Sequence, residues 1–326
     1  MKKWIVILLF CLQVIVMTGC AEAGTTSAVD EKVKIGVMLS DVGLGDQSFS
    51  DSAFLGLEQA RDELGILFDY RELETVGDYE SGLIDLAEQD NDLIIGVGYM
   101  MEEELKKVAE DYPDQQFVIV DTVIDLPNVT SVTFKEQEGS FLIGAIAGMK
   151  TESDVVGFVG GVDSALIRKF LNGYEQGVKA TNPEAEVVTQ FAGDFGDDKL
   201  GADIADQMIQ EGADYIYPSA GFTGVGVIQK AEEQGIYSFG VDSDQYFLGE
   251  ETVVTSMMKN IDVAMMNVAT ELHENGELSG EDLVLGLNED GVGLAPIRVL
   301  SLTSEENNQL ENLMDEITSG EITVKE

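Results

Sequence analysis

Val33-Lys34-Ile35-Gly36-Val37-Met38-Leu39-Ser40-Asp41 is the stretch that decides the fold. Its apolar residues run consecutively instead of alternating, the pattern of a strand buried on both faces of a parallel sheet. After a polar loop, Phe54, Leu57 and Leu64 recur at helical spacing within residues 52–64. The same strand-then-helix unit repeats down the chain. Further strands are expected at 66–70, 93–97, 117–120, 129–134, 155–159, 187–191, 215–217, 237–241, 253–256 and 283–287. Helices are expected at 79–89, 102–111, 138–149, 165–179, 199–211, 225–234 and 262–272. Such alternation predicts an α/β protein with helices on both faces of parallel sheets. Two sets of about five strands suit two doubly wound lobes better than one very wide sheet. Lobe 1 is expected at 32–127 plus 246–283, and lobe 2 at 128–245 plus 284–326. The chain then crosses between lobes several times, and short crossing segments make a hinge.

The first residues read as an address. Met1-Lys2-Lys3 is basic, and Trp4 to Met17 is apolar except for Gln13, which matches a secretory leader and is short for a membrane span. Met17-Thr18-Gly19-Cys20 resembles a bacterial lipobox. It implies a signal peptide over 1–19, lipid attachment at Cys20 and a polar tether over 20–31. The expected location is the extracytoplasmic face of the cell membrane, held there by the lipid.

The chain has 326 residues, and 62 acidic residues face 18 basic ones for a formal charge of -44. That surface repels phosphate backbones, so a nucleic-acid polymer is not expected as a partner. The carboxylates are scattered, without the D-x-D-x-D-G spacing of a calcium loop, and no metal site is expected. The single histidine, His273, lies near the end of a polar helix without candidate partners and reads as a solvated structural residue. Cys11 and Cys20 are the only cysteines, which leaves the mature body without a thiol nucleophile. Neither catalytic residues nor a cofactor is expected. The chain reads as a receptor, not an enzyme.

In open α/β sheets the ligand crevice lies beyond the carboxyl ends of the strands. Three expected strands run straight into aspartate, at Asp41, Asp121 and Asp242. Ionised carboxylates only accept hydrogen bonds, so they suit a ligand offering hydroxyl, amine or ring N–H donors. The plainer reading is that each caps the next turn. Phe49 lies in a polar loop entering a helix, either as a staple onto that helix or as a platform in the crevice. With Tyr217 at the end of another strand, it would sandwich a flat ring. Ala220-Gly221-Phe222-Thr223-Gly224-Val225-Gly226 only partly matches a dinucleotide fingerprint, since its spacing is G-x-x-G-x-G. Its glycines, Gly221 first, let backbone N–H groups approach a ligand. Lys259 follows a strand, and either pairs with a surface carboxylate or donates to a ligand hydroxyl.

These runs resemble the basic membrane protein family of ABC-transporter solute-binding lipoproteins, whose better-known members are purine nucleoside receptors. The resemblance rests on Gly45-Asp46-Gln47-Ser48-Phe49, Glu138-Gly139-Ser140-Phe141-Leu142, Val156-Gly157-Phe158-Val159-Gly160-Gly161 and residues 170–183. Gly240-Val241-Asp242-Ser243-Asp244-Gln245 and Thr255-Ser256-Met257-Met258-Lys259 continue it. It implies a type I periplasmic-binding-protein fold with a purine nucleoside or similar small solute between the lobes and an ABC permease as partner. By matching positions, Phe49 and Tyr217 would stack on the base, with Asp41 and Asp121 on the base side. Gly221, Asp242 and Lys259 would contact the ribose. Ser50 stands where the family usually has Asn, and Phe222 where a second Gly is usual, which would narrow the ribose end. The alternatives are a surface receptor for another solute, such as a sugar or signalling molecule, and a regulatory lipoprotein.

Overall fold

The computed structural model describes residues 32–326. The leader, Cys20 and the tether lie outside the described residues. In chain order the first elements are β1 (Lys34–Met38), α1 (Phe49–Leu64), β2 (Leu67–Arg71), α2 (Tyr79–Ala87), β3 (Leu93–Gly96), α3 (Glu102–Asp111), β4 (Gln116–Val120) and β5 (Val129–Phe134). Next come α4 (Glu136–Lys150), β6 (Val155–Gly160), α5 (Ala165–Thr181), β7 (Glu186–Phe191), α6 (Asp198–Gln210), β8 (Tyr215–Ser219), α7 (Gly221–Gln234) and β9 (Tyr237–Asp242). The chain ends with β10 (Val253–Lys259), α8 (Ile261–Asn275), β11 (Leu283–Leu285), β12 (Val292–Leu294) and α9 (Ser304–Thr318).

The strands form two six-stranded sheets, ordered β11-β5-β4-β3-β1-β2 and β12-β10-β9-β8-β6-β7. Apart from the antiparallel β10–β12 pair, the strand pairs are parallel. The central strands are the buried ones. β1, β3 and β4 are covered on both faces, which explains their consecutive apolar runs, whereas the edge strands β2 and β7 are more exposed.

Strand pairing departs from the lobe boundaries expected at 127/128 and 245/246. β5 pairs with β4 in the first sheet, and β10 with β9 in the second. The chain therefore changes lobe after β5 and β10, not before them. Apolar patterning marks a strand without marking its sheet, which is why the boundary was misplaced. The crossings at Lys135, Asn260 and 286–291 run side by side. Lys135 N–H donates to the Leu285 carbonyl at 2.9 Å, and Asn260 N–H to that of Gly291 at 2.9 Å.

Helix α4 is buried on nearly every side. Its contact with α5 is backbone against backbone: a Cβ on Gly177 would run into the Phe141 carbonyl, and one on Gly144 into that of Tyr174. Small residues here bring α5 close enough to present Phe170 to the cleft. Helix α9 was not among the expected helices, although Thr303-Ser304-Glu305-Glu306 is a reciprocal capping box.

Candidate binding cleft

The carboxyl ends of both sheets face one cleft, with a cavity of about 660 Å3 including its mouth. In each sheet the strand order reverses beside the first strand, β1 or β6, and such switch points open crevices. Lobe 1 contributes Ser40 and Asp41 after β1, Gly98 and Tyr99 after β3, and Asp121 after β4. Lobe 2 contributes Gly221 at the start of α7, Asp242 at the end of β9 and Lys259 at the end of β10. Asp41, Phe49, Asp121, Gly221, Asp242 and Lys259 thus share one cavity. The expected Tyr217 does not line it.

Asp121 and Asp242 do not cap helices. Both have left-handed backbone, with φ of 72° and 64°, a region most residues avoid and aspartate tolerates. The bend carries each chain away from its strand at the cleft. Asp41 sits at the exposed mouth, where surrounding protein still pushes its carboxyl up, with help from Asp194 opposite.

Lys259 is fully buried between acids. Its Nζ lies 2.7 Å from the Asp121 carboxylate and 3.1 Å from Glu136 Oε1. The same ammonium stands 5.1 Å from the Phe49 ring centre, 5.0 Å from Phe134 and 5.7 Å from Phe170, within cation–π range. Burial by itself would lower the Lys259 pKa, but Asp121, Glu136 and Asp242 together outweigh it and hold the group above the ordinary lysine range. Burial raises the Glu136 carboxyl to about 7, against the pull of Lys259. Asp242 is likewise raised by burial, with Lys259 and Ser48 pulling it back.

The loop 43–48 explains how Phe49 is placed. Buried Asp46 accepts from the N–H groups of Ser48, Ser50 and Asp51 at 3.0, 2.7 and 3.2 Å. With those helix-start donors satisfied, the Ser48 hydroxyl is free to donate across the cleft to Asp242 Oδ2 instead of capping α1. Gln245 Nε2 donates to the Gln47 carbonyl at 2.9 Å beside it. The two lobes are therefore latched closed. Burial pushes Asp46 up to about 6 despite its three N–H partners.

Tyr217 was expected to stack on the ligand, but β8 runs on to Ser219 and leaves it interior to the strand. It is completely buried, 5.7 Å from the Phe158 ring and 5.3 Å from Tyr174, and its hydroxyl is 3.2 Å from Ser140 Oγ. On the lobe 2 side the lining aromatics are Phe170 and Phe195. Phe222 does not line the cavity, so the expected narrowing is not seen. The Ser50 hydroxyl is 2.7 Å from Ser40 Oγ, which does line it.

Over residues 32–326 the chain matches the model of the Bmp family, described as ABC transporter substrate-binding protein PnrA-like. It belongs to this family. Bmp proteins are substrate-binding components of ABC transporters. A Lactococcus lactis relative named ABC transporter nucleoside-binding protein BmpA is 30% identical over 336 residues, covering 95% of each chain. A Pyrococcus abyssi protein named a lipoprotein is 34% identical over 299 residues, covering 86% of this chain and 74% of that one. Among solved structures, an ABC-transporter solute-binding protein of Aeropyrum pernix superposes with a TM-score of 0.82 at 29% identity. It covers 89% of this chain and 92% of that one.

Proposed function

We propose that this Bmp protein captures a purine nucleoside between its lobes and delivers it, chemically unchanged, to an ABC permease. The observation that carries the reading is the composition of the cavity. Phe49, Phe170 and Phe195 line it with apolar rings, and the Asp121–Lys259–Asp242 cluster gives it a charged pole. Aromatic faces suit a flat heterocycle. Paired acids and an ammonium suit vicinal hydroxyls, which both donate and accept. The name of the Lactococcus relative points the same way. Asp41, at the mouth, lies on the base side, and Gly221 opens α7 with backbone N–H groups turned to the ribose.

Closing two lobes on a solute selects one hinge state, and a permease can read that state. A lipid at Cys20 would keep the receptor beside its permease, consistent with the lipoprotein name of the Pyrococcus relative. Titrating inosine, guanosine and adenosine into the purified protein by calorimetry tests the proposal. Saturable one-to-one heat with at least one of them is expected. Silence with all of them, on protein shown to be folded and free of co-purified solute, would remove the nucleoside.

A further inference from the structure

Two buried phenol oxygens in the cavity wall, those of Tyr79 and Tyr99, make no hydrogen bond of good geometry among the described residues, although Ser164 at the start of α5 lies close to the Tyr99 hydroxyl. Neither belongs to the charged cluster around Lys259. Tyr79 opens α2 and is 8% exposed, and Tyr99 follows Gly98 directly after β3. Gly98 has φ of 118°, a backbone state that L side chains rarely adopt, so the glycine sets the turn that delivers Tyr99 to the cleft.

Strand order arranges the cavity. β4, β3 and β1 are neighbours in that order, so Asp121, Tyr99 and Asp41 follow one another along the carboxyl edge of the lobe 1 sheet, with Lys259 paired to Asp121. Tyr79 feels Asp41, Glu104 and its neighbour Tyr99. The lining therefore runs from Lys259 through Asp121 and Tyr99 to Asp41 and Tyr79. It has a charged pole at one end and a phenolic pole at the other. Burial holds both phenols above the ordinary tyrosine range, so they remain neutral and able to donate.

A buried hydroxyl without a partner is unfavourable, and two such groups at one end of a solute cavity are available to what the cavity holds. We propose that Tyr79 and Tyr99 are solute-contacting residues that select a base with a hydrogen-bonding outer edge, such as a 6-oxo- or 6-aminopurine, over an unsubstituted ring. The inference rests on the nucleoside reading above and deepens it. The ribose is held at the charged pole and the outer edge of the base meets the phenols. Asp41, an acceptor, completes that pole when the edge carries an N–H donor.

The test is a cycle of two variants and two ligands. Tyr79→Phe and Tyr99→Phe keep the ring and remove one hydroxyl each. Calorimetry would measure inosine, which carries an exocyclic oxygen, and 9-β-ribofuranosylpurine, which does not. Each variant is expected to weaken inosine by roughly fivefold or more while leaving the unsubstituted riboside within about twofold, the size of one lost hydrogen bond. Melting curves close to wild type would exclude unfolding as the cause. Equal losses for both ligands, or no loss for inosine, would overturn the assignment, the second outcome meaning that water alone serves the hydroxyls. If the wild-type protein binds neither riboside, the nucleoside reading fails and takes this one with it. If it binds both and the variants behave like wild type, only this inference fails.

Discussion

Lys259 of lobe 2 and Asp121 of lobe 1 meet at 2.7 Å across the cleft, with side chains only 1% and 3% exposed. The pair spans the hinge, because β10 and β4 belong to different sheets. Glu136, the first residue of α4, is on the same lobe as Lys259. Lys259 thus has one acid on its own lobe and one on the other. The Ser48–Asp242 and Gln245–Gln47 bonds span the same cleft.

Replacing Lys259 with Met should unsettle the fold as well as the site. Asp121, Glu136 and Asp242 would then lie together without a cation, and breaking a buried pair by removing one partner costs about 3–5 kcal/mol. Burial raises Glu136 to about 7 and Asp242 above its ordinary value, so the loss should be largest at mildly alkaline pH, where both are ionised, and smaller in acid, where their protonation relieves the cluster. Urea denaturation of wild type and Lys259→Met at the two ends of that range measures it. A destabilisation independent of pH would mean that packing, not charge, is what Lys259 supplies.

Glu136 predicts a pH dependence with a definite sign. Its folded pKa is raised from 4.5 to about 7 by burial, against Lys259 and Lys169 and with Asp121 adding to the rise. Between those values the folded state holds more protons than the unfolded one, so this group's contribution to stability falls as pH climbs through the window. It is fully present below the ordinary glutamate value and lost above about pH 7. Glu136→Gln mimics the protonated form and should flatten that part of the melting-temperature profile. Profiles of equal slope for variant and parent would show that Glu136 does not titrate there.

Most of the fold was legible because buried parallel strands have an unmistakable pattern, and Leu93 to Val97 could hardly be anything else. The sheet to which β5 and β10 belong was not legible, since β5 is apolar enough for either. At the site, the strand-end acids were found because a charge terminating an apolar run is conspicuous. The helix starts were missed. Helices α1, α4 and α7 begin at Phe49, Glu136 and Gly221, each two to four residues before the apolar periodicity that announces the helix body. None of these three starts carries a side-chain cap that would announce it, and here the first turns hold the site. Tyr79 and Tyr99 gave no signal at all, because a buried hydroxyl without a partner is visible only once its neighbours are placed.

Asp242 should matter more to a nucleoside than to its free base. Its carboxylate belongs to the charged pole assigned to the ribose and accepts from Ser48. Asp242→Ala removes both the latch and an acceptor for ribose hydroxyls, whereas Ser48→Ala removes the latch alone. Calorimetry with inosine and hypoxanthine should show Asp242→Ala losing inosine affinity about a hundredfold, equivalent to roughly two charge-assisted hydrogen bonds. The loss for hypoxanthine should be much smaller, and Ser48→Ala should weaken both ligands alike, by less than about tenfold. Equal losses of base and nucleoside in Asp242→Ala would put the ribose elsewhere.

The aromatic contacts can be decided by a pair of substitutions that pull apart core and cleft. Tyr217 is packed among Phe158, Tyr174 and Phe239, and its hydroxyl reaches only Ser140. Tyr217→Phe should leave nucleoside affinity within about twofold, and its effect on stability should be that of one weak buried hydrogen bond, about 1 kcal/mol. Phe195 is partly exposed at the cavity in the loop before α6. Phe195→Ala should cost binding about tenfold or more, the scale of losing one aromatic face from a stacked ring, while its melting point barely moves. If Tyr217→Phe weakened binding and Phe195→Ala did not, the ring platform would belong to β8 after all, and β8 would have to turn at Tyr217 in the bound state to present it.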